Sequence, residues 1–187
     1  MSKAQTTPSK VRRDGAAITE KQRQGRAANA IAELLMRKLL VPRTFLEPKP
    51  WIFAGESSTN PRSVDLIAFD RAGSGDIHIV EIKLSKADAS PNERVLSSSI
   101  RTLLNEVPAN FKYLAVDSRS VNFVSRQQLF ANDGIGRIGI IEVIENPSEP
   151  PQAKIAVQAE RFRLDQRWVK KFDDFQKKTP ADMEIRG

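Results

Sequence analysis

Apolar positions recur along this chain with two spacings, and the places where one gives way to the other mark its elements. Ala28, Ile31, Leu34, Leu35 and Leu39 fall on one stripe at steps of three and four residues. That pattern predicts a helix rich in alanine and leucine, capped by Thr19, continuing through Gly25 and stopped by Pro42. Residues 45–50, flanked by prolines, read as a connector, and residues 51–54 as a short first strand. Residues 63–70 and 77–84 are two apolar runs joined by the polar, glycine-containing turn 71–76, the pattern of a β-hairpin. Ser90, Pro91, Asn92 and Glu93 have the form of a capping box with Ser90 as the cap, which predicts a helix to about Glu106 with Leu96, Ile100, Leu103 and Leu104 inward. Phe111–Asp117 reads as a strand, and Ser120 as the cap of a helix over 121–131. Residues 136–143 and 153–160 read as strands, and residues 165–178 as an amphipathic helix with Trp168 and Phe172 inward.

The charges inside the hairpin change the picture. Side chains alternate along a strand, so Asp65, Ile67 and Phe69 share a face of the first run, and Ile77, Ile79, Glu81 and Lys83 share a face of the second. With Phe69 opposite Ile77, the antiparallel register sets Asp65 opposite Glu81, with Cβ atoms about 5 Å apart. Both runs are apolar on both faces, which argues for a central, covered position where facing carboxylates need a neutralising partner. A divalent cation beside Lys83 is one such partner. The other is Lys83 itself, pairing with Glu81 and Asp65 in an ordinary salt-bridged hairpin.

Asp65, preceded by Pro61-Arg-Ser-Val and followed after fifteen residues by Glu81-Ile82-Lys83, resembles the signature of the PD-(D/E)XK nuclease superfamily. The proline stands four residues before the aspartate rather than directly before it. The resemblance implies an α/β fold with a restriction-endonuclease-like core of helix, three-strand meander, helix and strand over about residues 25–118. Around it would come a mixed central sheet, then C-terminal strands and a helix. It also implies that Asp65, Glu81 and the main-chain carbonyl of Ile82 hold Mg²⁺, with Mn²⁺ as a substitute, and that Lys83 positions or activates the attacking water. A glutamate on the first helix often joins such a site, which makes Glu33 the further catalytic candidate; the plain alternative is an exposed acid paired with Arg37 at i, i+4. Arg94 and Arg101 on the second helix stand between a role near the scissile phosphate and simple solvation. The activity implied is a metal-dependent endonuclease on nucleic acid, DNA before RNA, leaving a 5′-phosphate. The alternatives are a non-catalytic member of the fold that binds nucleic acid or a protein partner, and an interaction or immunity-type module. Homodimers are common in the superfamily, and nothing in this chain marks a dimer helix.

Composition narrows these expectations further. A chain of 187 residues suits one domain, here expected over 17–178 between a disordered basic arm at 1–16 and a frayed end at 179–187. It has no cysteine, which removes disulfides and thiolate metal sites, and one histidine, which excludes nucleases built on several histidines and zinc deaminases. No signal-like or membrane-length apolar run occurs, so a soluble, cytoplasmic protein without a membrane partner is expected. The net charge of +7 is concentrated at the ends: residues 1–26 hold seven Lys or Arg against two acids, and residues 161–187 hold eight against five. Basic ends suit phosphate contacts, and equally suit a solvated tail. Gly134, Gly136 and Gly139 match a dinucleotide-binding spacing but lead into a strand-like run, which reads as a turn entering a strand. His78 has the opposite parity to Glu81 and Lys83 and is expected to pack on the other side of the sheet.

Overall fold

The computed structural model describes residues 19–39, 43–46, 64–69, 76–86, 89–127, 136–146, 148–164, 168, 170 and 184–186. Thr19 opens the first helix by a reciprocal cap: the Gln22 N–H donates to Thr19 Oγ1 at 3.3 Å, and the Thr19 N–H donates to Gln22 Oε1 at 3.0 Å. The helix that follows, α1 (Glu20–Leu39), buries Ala27, Ala28, Ile31, Ala32, Leu34 and Leu35. Each of its larger aliphatic side chains removed from water contributes about 1.5–3 kcal/mol.

Three strands then run antiparallel as a meander: β1 (Arg43–Leu46), β2 (Leu66–Phe69) and β3 (Ile77–Lys83). Helix α2 (Glu93–Asn105) crosses back, and β4 (Phe111–Asp117) lies parallel to β3. A second crossover, α3 (Ser118–Arg126), leads to β5 (Gly139–Ile144), parallel to β4. β6 (Gln152–Val157) pairs antiparallel with β5, and β7 (Glu184–Arg186) pairs antiparallel with β1. Among the described residues the result is a mixed seven-stranded sheet in the order β6-β5-β4-β3-β2-β1-β7. The chain is therefore an α/β protein.

Alternation sorts the apolar side chains of the central strands into two cores. Ile67, Ile79, Leu114, Val116 and Ile140 face α2 and α3, where Leu96, Ile100, Leu103 and Val124 meet them. Leu66, Val80, Ile82, Ala115 and Ile141 face the buried stripe of α1. His78 follows the second set, buried and stacked on Phe111 with ring centroids 4.6 Å apart and planes at 12°. β5 begins at a glycine because the neighbouring Tyr113 ring fills the space above it: a Cβ on Gly139 would stand 2.5 Å from two ring carbons. Gly136, at φ +83°, makes the left-handed turn into this strand. No helix among the described residues is long and apolar enough to cross a membrane.

Several boundaries differ from the sequence expectation, each for a local reason. The strand beside β2 is Arg43–Leu46, partly overlapping the expected connector, because Thr44 and Phe45 suit an extended backbone. The strand expected at 51–54 and the arm at 1–16 lie outside the described residues, as does the expected C-terminal helix except for Trp168, which packs against the core under α2, and Lys170. Helix α2 is capped by Asn92, not Ser90: the Asn92 side chain accepts from the Val95 N–H at 3.2 Å. Helix α3 is capped by Asp117, not Ser120, since the carboxylate reaches the N–H groups of both Arg119 and Ser120. Glu184–Arg186, expected to fray, instead completes one edge of the sheet.

Candidate functional site

The register of the hairpin is the one its apolar pattern dictates. Phe69 pairs with Ile77, Ala68 with His78, Ile67 with Ile79 and Leu66 with Val80. The ladder ends at Leu66 and Val80, one step short of Asp65 and Glu81, whose charges still act on each other. The chain bends at Asp65 instead of extending the strand, and its Oδ2 accepts the Ile82 N–H at 2.6 Å. That contact ties the aspartate to the main chain between Glu81 and Lys83.

On β3 the alternation that places Ile79 towards α2 also places Glu81 and Lys83 on that face, and the Lys83 ammonium is ion-paired with Glu81 Oε1. The Glu81 side chain is 19% exposed and that of Lys83 33%, so both are shielded yet reachable from solvent. Burial holds the Glu81 carboxyl above its ordinary range near 4.5; the adjoining charge of Asp65 pushes the same way, and Lys83 opposes both. Two acids thus act on each other in a shielded place, with one ammonium on Glu81. Among the described residues no group of three or more His, Cys, Asp or Glu side chains gathers to hold a metal, so any cation here would rely on these two carboxylates, main-chain oxygen and water.

Of the residues singled out in the sequence, Asp65, Glu81, Ile82 and Lys83 come together. Glu33 does not join them. It is exposed on α1, whose buried stripe packs on the face of Val80 and Ile82, and Glu81 and Lys83 alternate to the other face. Arg94 and Arg101 are exposed on α2, the helix that covers the same face as Glu81 and Lys83.

Most of the polar network that holds the exit of β3 joins residues far apart in the chain and was missed in the sequence. The Ser85 N–H donates to Asp117 Oδ2 at 2.8 Å, Arg23 donates to the Ser85 carbonyl, and Arg119 Nη2 donates to the Lys86 carbonyl at 3.1 Å. Ser120 Oγ donates to both oxygens of Asp117 at 3.2 Å, and Arg23 reaches on to the carboxylate of Glu145. Ser85 and Lys86 are therefore fixed by α1, β4 and α3 at the carboxyl ends of the parallel strands, the edge of an α/β sheet where ligands are commonly bound. Burial alone would raise Asp117. The main-chain and side-chain bonds from Ser85, with Ser120 and Arg119, outweigh it and keep the carboxyl below its ordinary range. The local signal that was available is the Asp-x-x-Ser pattern of 117–120, an N-cap signature.

No protein-family model matches this chain, and no curated protein matches it. Among solved structures it is similar to the SPO1766 protein of unknown function from Silicibacter pomeroyi, with a TM-score of 0.53 and 17% sequence identity over 85% of this chain and 87% of that one. This is a likeness of fold. A second structure, described as that of SSO0001, aligns at a TM-score of 0.25 with 15% identity over 82% of this chain and 58% of that one, too low to carry an argument.

Proposed function

We propose that this chain is a Mg²⁺-dependent phosphodiesterase of the restriction-endonuclease-like fold, hydrolysing nucleic acid, with DNA the preferred substrate over RNA. The observation that carries the reading is the anchoring of Asp65 on the Ile82 N–H, between Glu81, whose carboxyl feels its charge, and the ion-paired ammonium of Lys83. The order of elements supports it: helix, antiparallel meander, crossover helix, and a strand parallel to the third.

The donor set fits the ion. Mg²⁺ takes one or two carboxylates and fills its remaining positions with water and phosphate oxygens, and a carboxyl held high by burial and a neighbouring carboxylate gains from a nearby cation. Asp65, Glu81 and the Ile82 carbonyl would hold it, and bound there it would polarise the phosphate and lower the pKa of a coordinated water. Asp65, anchored on the Ile82 N–H, fixes one ligand relative to the other. Lys83 offers a proton donor and positive charge to the attacking water or the developing negative charge on phosphorus-bound oxygen. The exit network of Ser85, Asp117 and Arg23 keeps the main chain beyond Lys83 from shifting. The basic ends would add sequence-independent phosphate contacts.

One observation favours a second reading, a non-catalytic nucleic-acid-binding or protein-interaction member of the fold: Lys83 already neutralises Glu81. Incubating plasmid with Mg²⁺ and either wild type or Lys83→Ala separates the two. The nuclease reading expects cutting that the variant loses by a factor of about 100 or more. Salt-sensitive binding without cutting by the wild type supports the second reading.

A further inference from the structure

The contact between Lys83 and Glu81 does more than neutralise a charge. Glu81 Oε1 is occupied by the Lys83 ammonium, and Asp65 Oδ2 is occupied by the Ile82 N–H. The ammonium therefore stands on one of the two carboxylates that a shared cation would use, in the role of that cation. Lys83 is two residues along the same strand from Glu81, close enough to cover it, and its side chain is one-third exposed. A flexible four-carbon stem lets the ammonium leave by bond rotation alone, while the network on Ser85 and Lys86 holds the backbone behind it in place.

We propose that Lys83 is a built-in competitor for the divalent ion. It covers Glu81 while the metal is absent, and metal uptake turns it outward to meet a substrate phosphate. This inference rests on the metal-site reading and concerns how that site is regulated. Its first consequence is that the lysine lowers the affinity for metal, the reverse of what a group that merely supports the site would do. Its second follows from the reciprocity of linked binding: a phosphodiester that draws Lys83 outward raises the affinity for metal, and the metal raises the affinity for the phosphodiester by the same factor.

The test is calorimetric titration of Mn²⁺ into wild type, Lys83→Met, Lys83→Arg and Glu81→Gln at fixed ionic strength, without substrate. Removing one positive charge roughly 6 Å from a dication corresponds to about a tenfold change in the dissociation constant under full aqueous screening, and to more where the carboxylates are shielded. The expected result is therefore binding tighter by about tenfold or more for Lys83→Met, binding close to wild type by Lys83→Arg, and loss of binding by Glu81→Gln. Thermal melting checks that Lys83→Met is folded, and Lys83→Gln replaces it if it is not. Equal or weaker Mn²⁺ binding by the neutral variant, with the wild type binding normally, overturns the competition and leaves the metal site standing. Absence of Mn²⁺ binding by every protein, Lys83→Met included, overturns both.

Discussion

At the scale of single residues, Glu81 sits in an environment poorly suited to its charge. Burial and Asp65 raise its pKa above the ordinary value near 4.5, and the Lys83 ion pair recovers only part of that cost. For an acid raised on folding, the ionised form is the destabilising one. The cost is absent below the unfolded pKa and grows as pH rises through the folded pKa. Glu81→Gln should therefore melt higher than wild type near pH 8, with the gain shrinking towards about pH 4. Thermal melts across that range check it, and a gain of equal size at both ends would mean that ionisation is not its source. Mg²⁺ should raise the melting temperature of the wild type and leave that of Glu81→Gln unchanged, since only the wild type has both carboxylates to offer.

At the scale of elements, the parts read most easily from the sequence are those fixed by local periodicity. The buried stripe of α1 and the register of β2 against β3 both follow from apolar spacing, and a one-residue slip in that register would have turned Ile67 and Ile79 to the wrong face. The candidate pair of Asp65 and Glu81 was legible for the same reason. Helix starts were harder, because residues able to cap stand close together. Ser90 competes with Asn92, and Ser120 with Asp117, and at α3 the choice is reinforced by the Ser85 N–H, which lies 32 residues away in sequence. β1 was missed because its four residues are too few to show alternation, and its pairing comes from β2 and β7. The bond of Arg23 to Glu145 spans 122 residues and has no local signature. Asp117 combines the cap of α3 with the anchor of the β3 exit, so Asp117→Ala should cost about 2 kcal/mol or more. The loss should be largest at neutral pH, because an acid lowered on folding stabilises above its unfolded pKa and loses that contribution as pH falls through the folded one. Urea denaturation at two pH values measures both; a cost below about 0.5 kcal/mol at neutral pH would show that the network is not holding the strand exit.

At the scale of the whole molecule, helices cover both faces of the sheet, the carboxyl ends of β3 and β4 carry the charged groups, and the sequence adds basic ends to a nearly neutral centre. Residues 1–18 contain Lys3, Lys10, Arg12 and Arg13. If these contact phosphates, deleting 1–18 should weaken binding to DNA and flatten the slope of log affinity against log salt by up to about 3 to 4. An unchanged slope in fluorescence anisotropy would assign the arm to solubility alone. The nuclease reading itself comes down to whether Asp65 and Glu81 hold one cation between them. Anomalous diffraction from a crystal soaked in Mn²⁺ tests this most directly. The account predicts a single peak bonded to a carboxylate oxygen of each residue, with Lys83 turned away from Glu81; no peak between them, with Lys83 still seated on Glu81, would contradict it.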